Sequence, residues 1–113
     1  MKLPDHELAE VPENKITHYL LNPAHPSGGS KAGYFLRFGF KTEDWERLAE
    51  ALLTHARENE VAASERSIYG TRHVVEGELT ATDGRRLNVR SVWFIQLGER
   101  NPRFVTAYPL SKS

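Results

Sequence analysis

Trp45, Leu48, Ala49, Leu52, Leu53 and Ala56 recur at i, i+3, i+4, i+7, i+8 and i+11, with charged and polar residues between them. That spacing predicts an amphipathic helix with one continuous buried stripe. Thr42 opens it, and Glu43 and Asp44 fall in the first turn, where the helix dipole favours negative charge. From Tyr69 onward the period shortens to that of strands, predicting runs Tyr69 to Leu79, Leu87 to Leu97 and Arg103 to Pro109. The turn signals Thr82-Asp83-Gly84 and Gly98-Glu99-Arg100-Asn101-Pro102 divide them, and such short connections predict antiparallel neighbours. Val61 to Ser67 adds a weaker edge strand. On the central run Leu87, Val89, Ser91, Trp93, Ile95 and Leu97 alternate with Asn88, Arg90, Val92, Phe94 and Gln96, so its faces differ in polarity.

Two shorter helices precede this pattern. Pro12 suits the first turn of one, with Ile16, Tyr19 and Leu20 at helical spacing before Asn22-Pro23 stops it. Ser30 is placed to cap the other, which carries Tyr34, Phe35 and Phe38 and ends at Gly39. In residues 1–10 the apolar positions are too scattered to make an element, which predicts a polar N-terminal arm, with order beginning near Val11. Helices followed by a meander read as α+β: N-terminal helices packed on a C-terminal antiparallel β-meander of three or four strands, residues 11–113 forming a single domain.

Composition narrows the function classes. The chain has 113 residues, 15 basic and 15 acidic, with no net charge, which argues against a general nucleic-acid coat but leaves room for a local basic cleft. The acids gather in residues 5–13 and 43–60, and Arg72, Arg85, Arg86, Arg90, Arg100 and Arg103 dominate the second half, so a bipolar surface is expected. With no cysteine there is no thiolate nucleophile or disulfide. No apolar run approaches membrane-span length and no secretory signal is visible, so a cytoplasmic protein without a membrane partner is expected; nothing in the sequence sets an oligomeric state.

Candidate chemistry concentrates in Asn22-Pro23-Ala24-His25-Pro26-Ser27-Gly28-Gly29-Ser30-Lys31-Ala32. A helix's first-turn N–H groups have no intrahelical partner and sit at the positive end of its dipole, so Gly28, Gly29 and Ser30 form a candidate phosphate-binding corner. His25 adds a group able to carry a proton near neutral pH, and Lys31 adds a fixed positive charge. The spacing is not that of a nucleotide-binding P-loop. In the strands, Arg72 and Arg90 are candidate anion ligands, and Thr106 and Tyr108 share a face from which their hydroxyls can bind phosphate oxygens. An arginine mid-strand must snorkel, pair with a carboxylate such as Glu76 or Glu78, or line a cleft. His6, His18, His25, His55 and His73 form no metal-binding pair spacing and no G-x-S-x-G elbow is present, so an enzyme here is expected to use His, Lys and Arg without a metal or cofactor. Metal-independent RNA cleavage needs that set: a base for the 2′-hydroxyl, an acid for the leaving oxygen and cations for the charged transition state.

The run Lys15-Ile16-Thr17-His18-Tyr19-Leu20-Leu21-Asn22-Pro23-Ala24-His25-Pro26, then Gly28-Gly29-Ser30-Lys31-Ala32, resembles an uncharacterised bacterial small-domain family. That family occurs as free-standing proteins and at the C-termini of phage head-morphogenesis and toxin-like proteins. The likeness extends through Phe38-Gly39-Phe40, Tyr69-Gly70-Thr71-Arg72, Val92-Trp93-Phe94 and Thr106-Ala107-Tyr108-Pro109. More distantly, the arrangement is similar to the ribonuclease fold of barnase, EndoU, colicin and RelE types. This resemblance implies a toxin-type endoribonuclease acting on RNA, with catalytic residues His25, Lys31, Arg72, Arg90, Thr106 and Tyr108 around the scissile phosphate, and a cognate antitoxin or immunity protein as partner. The alternative is a non-catalytic protein-binding module, itself an immunity or antitoxin-like partner. Convergence of His25, Lys31 and a sheet arginine on one point separates catalysis from binding.

Overall fold

The computed structural model describes residues 1–22, 24–25 and 29–110. After a 3-10 turn, His6–Leu8, a helical turn α1 (Glu13–Lys15) runs directly into a π-helical segment, Ile16–Leu20. Helix α2 (Gly29–Arg37) follows, then a 3-10 turn, Thr42–Asp44, leading into α3 (Trp45–Glu58). Among the described residues four strands follow: β1 (Val61–Ser67), β2 (Gly70–Thr80), β3 (Arg86–Gln96) and β4 (Arg103–Pro109). They pair in sequence order β1-β2-β3-β4, each antiparallel to the next. The expected α+β meander is therefore formed, with the Val61 to Ser67 edge strand included.

One face of the sheet is buried beneath the helices. Leu48, Leu52 and Ala56 of α3 share a cluster with Val75, Leu79, Leu87, Val89, Trp93, Phe104 and Ala107 of the strands, and Ile16, Leu20 and Phe35 join it from the N-terminal helices. Removing a leucine side chain from water in such a position stabilises the fold by about 1.5–3 kcal/mol. Helix α3 is rotated slightly from its predicted stripe, so that His55 is buried with Leu52 and Ala56, and Leu53 only half-buried. His55 has a built environment. Its Nε2 lies 2.9 Å from the Val89 carbonyl and 3.2 Å from that of Gly77, both acceptors, so Nε2 carries the proton. Nδ1 then accepts from the Ser91 hydroxyl at 3.0 Å, and Ser91 Oγ accepts the Trp93 indole N–H at 2.8 Å. Burial holds the His55 pKa below the ordinary histidine value, against the two carbonyl hydrogen bonds, which favour the charged ring.

The N-terminal arm expected from residues 1–10 is not an arm. Leu3 is buried in the core, the Val61 amide donates to the Met1 carbonyl at 2.7 Å, and Glu10 bridges to the start of β4 through the Phe104 amide at 2.9 Å. Leu3 fills the core, Ala9 packs against it, and Lys2, Asp5 and Glu10 are hydrogen-bonded to Glu58, Arg100 and Asn101 in turn. Helix α2 begins at Gly29, one residue before the expected Ser30 cap. It ends as expected at Gly39, whose φ of +93° needs glycine and where a Cβ would collide with Thr82 Oγ1.

An irregularity in β4 sets which residues reach each face of the sheet. Val92 pairs with Thr106 but Trp93 pairs with Phe104, which leaves Val105 as an extra residue on β4. The bulge turns Phe104 into the core with Ala107, while Thr106 and Tyr108 face the other side with Arg90.

Candidate active site

The sheet face away from α3 carries Arg72, Val74 and Glu76 of β2, Arg90, Val92 and Phe94 of β3, and Thr106 and Tyr108 of β4, by pairing register. Val92 and Val74 are buried there and form an apolar floor. At the β4 side the π-helical segment and α2 overhang this face. The segment's widened turn, in which the Leu21 amide donates to the Ile16 carbonyl at 2.8 Å, buries Ile16 and Leu20 and leaves Tyr19 directed at β4.

Tyr19 Oη is 2.8 Å from Thr106 Oγ1, and Lys31 Nζ donates to Tyr19 Oη at 2.9 Å and to Thr106 Oγ1 at 3.4 Å. The Lys31 ammonium also lies over the Tyr19 and Tyr108 rings, 5.2 and 5.9 Å from their centres. His25 packs edge-on against Tyr19 with ring centres 4.9 Å apart. On the other side of Tyr108, Arg90 donates through Nη1 to Tyr108 Oη at 3.1 Å and through Nε to Glu76 Oε2 at 2.7 Å. The result is a continuous row, His25–Tyr19–Lys31/Thr106–Tyr108–Arg90–Glu76, drawn from a loop, the π-helical segment, the first turn of α2 and three strands.

The electrostatics follow from these contacts. Burial opposes ionisation of the Tyr19 phenol, but the hydrogen bonds from Lys31 and Thr106 and the charges of Lys31 and Lys15 outweigh it and set its pKa below the ordinary tyrosine value. Hydrogen bonds to Tyr108 and Glu76 raise the pKa of Arg90, which keeps it a fixed cation. Two cations, two phenols, a hydroxyl and an imidazole thus line one side of the sheet. Such a set can hold an anion and move protons beside it. Among the described residues, no three His, Asp or Glu side chains come close enough together to hold a metal ion.

Five of the six residues expected to be catalytic are brought together: His25, Lys31, Arg90, Thr106 and Tyr108. Arg72 is the exception. It shares the face but is exposed opposite Glu65 and Phe94, one strand and one pleat step beyond the Thr106–Val92 pair. It lies two strands across from Thr106, about 10 Å, as well as about 7 Å along the strand, whereas Arg90 is on the neighbouring strand and touches Tyr108. Of the expected phosphate corner, Gly29 and Ser30 form the start of α2, and Gly28 lies outside the described residues. Sequence reasoning misses Tyr19, because its helical spacing with Ile16 and Leu20 marks it only as a core position.

The chain belongs to the family described as domain of unknown function DUF6883, whose model matches residues 2–111. No curated protein matches it. Among solved structures it is similar to a chain of a contact-dependent growth inhibition toxin–immunity protein complex from Klebsiella pneumoniae 342. That match has a TM-score of 0.73 at 16% identity, covering 95% of this chain and 97% of the other. At that identity the likeness establishes a shared α+β fold.

Proposed function

We propose that this DUF6883 protein is a toxin-type endoribonuclease that cleaves RNA by 2′-hydroxyl attack without a metal ion. The observation that carries the reading is the convergence of His25, Lys31 and Arg90 through Tyr19, Thr106 and Tyr108 on one sheet face. In the step, the 2′-oxygen bonds to phosphorus while the bond from phosphorus to the 5′-oxygen breaks. His25 takes the 2′-hydroxyl proton, and the leaving 5′-oxygen receives a proton from the Lys31–Tyr19 pair. Lys31 and Arg90 offset the negative charge that builds on the phosphoryl oxygens. The products are a 2′,3′-cyclic phosphate and a 5′-hydroxyl end. The shared fold with a chain of a toxin–immunity complex supports a place in such a system, with an immunity protein as partner.

The test is incubation of purified protein with total RNA and labelled oligonucleotides in EDTA, comparing wild type with His25→Ala and Lys31→Ala. Cleavage that survives EDTA, leaves cyclic phosphate ends and is lost in both folded variants is the expected result. Absence of cleavage at every pH tested would overturn it.

A second reading, a non-catalytic immunity-like module, has one observation in its favour: the complex from Klebsiella pneumoniae 342 pairs a toxin with an immunity protein, and the shared fold is compatible with either role. It predicts equal, background-level cleavage by all three proteins and tight binding to a toxin domain.

A further inference from the structure

Beside the row of catalytic candidates lies a cleft of about 430 Å³ between α2 and the far ends of β3 and β4. Its walls are lined by Tyr34 of α2 and Phe38 just after it, by Arg85, Arg86 and Asn88 at the start of β3, and by Pro109 of β4. Each wall extends an element that already supplies the site. Tyr34 is one helical turn beyond Lys31 on α2, and Asn88 is two residues before Arg90 on the same face of β3, a step of about 7 Å.

We propose that this cleft is a base-binding subsite, holding the unpaired nucleobase next to the cleaved phosphate; the proposal rests on the ribonuclease reading above. Tyr34 and Phe38, with ring centres 5.1 Å apart, form a half-exposed aromatic wall of the kind on which single-stranded bases stack. Burial raises the pKa of the Tyr34 phenol, more than the Arg37 charge lowers it, so its hydroxyl stays a donor. The Arg85 guanidinium carbon lies 4.3 Å from the Phe38 ring centre and adds a cationic plane to the wall. Arg85 is steadied by Asp83 and Arg86 by Glu78, but all four side chains are exposed, where screening leaves the guanidinium groups able to meet a phosphate. Asn88 is exposed at the cleft, and an amide's paired donor and acceptor match the N6 and N7 edge of adenine, so adenine is the preferred base.

The experiment titrates isotope-labelled wild type, Asn88→Ala and Phe38→Leu with 2′-O-methyl dinucleotides differing in one base, which cannot be cleaved, and runs the cleavage assay alongside. Expected are resonance shifts at Tyr34, Phe38 and Asn88 on binding. Phe38→Leu should weaken every dinucleotide about tenfold, and Asn88→Ala should lose about tenfold of the adenine preference with the spectrum otherwise native. Cleavage of RNA by wild type with no shift at these residues and no change of base preference in Asn88→Ala would overturn the subsite and leave the ribonuclease reading intact. Shifts at these residues without cleavage would overturn the catalytic reading and, with it, the subsite's place beside a cleaved phosphate. Neither binding nor cleavage would overturn both.

Discussion

Lys31 Nζ donates to Tyr19 Oη at 2.9 Å, and so the start of α2 is tied to the π-helical segment directly above Thr106. Of these three side chains, the phenol is the one that touches both a cation and a hydroxyl while also packing on His25. Replacing Tyr19 by Phe keeps the ring contact and removes both hydrogen bonds. Activity on RNA should fall about 10- to 100-fold, while the thermal midpoint drops by no more than a few degrees, since one such bond contributes about 1 kcal/mol. Steady-state kinetics and a thermal melt on the same preparation check it.

The lowered Tyr19 pKa has a direct optical readout. Of the four tyrosines, Tyr19 should ionise first as pH rises, because the Lys31 and Thr106 hydrogen bonds and the lysine charges favour its phenolate. Ultraviolet titration near the phenolate band should show one early component, lost in Lys31→Met. Titration of all tyrosines together in the wild type would contradict this.

Glu76 pairs with Arg90 and draws part of its charge away from the face. In Glu76→Gln the guanidinium stays on Tyr108 and gains freedom to meet phosphate, so KM for RNA should fall severalfold with a steeper salt dependence. Arg90→Ala should instead lose most of the activity at low and high salt alike. Initial rates at several ionic strengths distinguish the two.

His55 and His73 both have pKa values lowered by burial. The unfolded chain therefore binds protons on these rings more readily than the folded protein. Stability should be flat above the ordinary histidine pKa of about 6.5 and fall as pH drops below it through the lower folded values. Denaturant midpoints between pH 8 and 5 measure the slope, which should be shallower in His55→Gln. At neutral pH, His55→Ala should cost about 2–3 kcal/mol, since it strips the Gly77 and Val89 carbonyls and Ser91 of their shared partner.

The bulge absorbs Val105, so that Phe104 and Ala107 face the core while Thr106 and Tyr108 face away. Deleting Val105 removes that extra residue and leaves Phe104 inward, Thr106 outward and Ala107 inward by strict alternation. The deletion and Val105→Thr should therefore both keep a cooperative thermal transition, and loss of the transition in the deletion would contradict this register.

The amino-acid sequence determined the elements and their order. The α3 stripe, the turn signals around Asp83-Gly84 and Gly98, and the alternation along β3 are local patterns, and local patterns report periodicity directly. They also placed His25, Lys31, Arg90, Thr106 and Tyr108 among the candidates, because each residue type announces its chemistry. What only the tertiary structure decided depends on contacts between distant positions. Leu3 is anchored by a core built from residues far along the chain. Tyr19, spaced like a core residue, meets Thr106 across 87 positions of sequence. Arg72 and Arg90 read alike as mid-strand arginines, and strand register alone sets one beside Tyr108 and the other opposite Glu65. The bulge that aims Thr106 has no local signature in Phe104-Val105-Thr106-Ala107-Tyr108. It exists because the core takes Phe104 and Ala107 together, and an alternating strand cannot present both on one face.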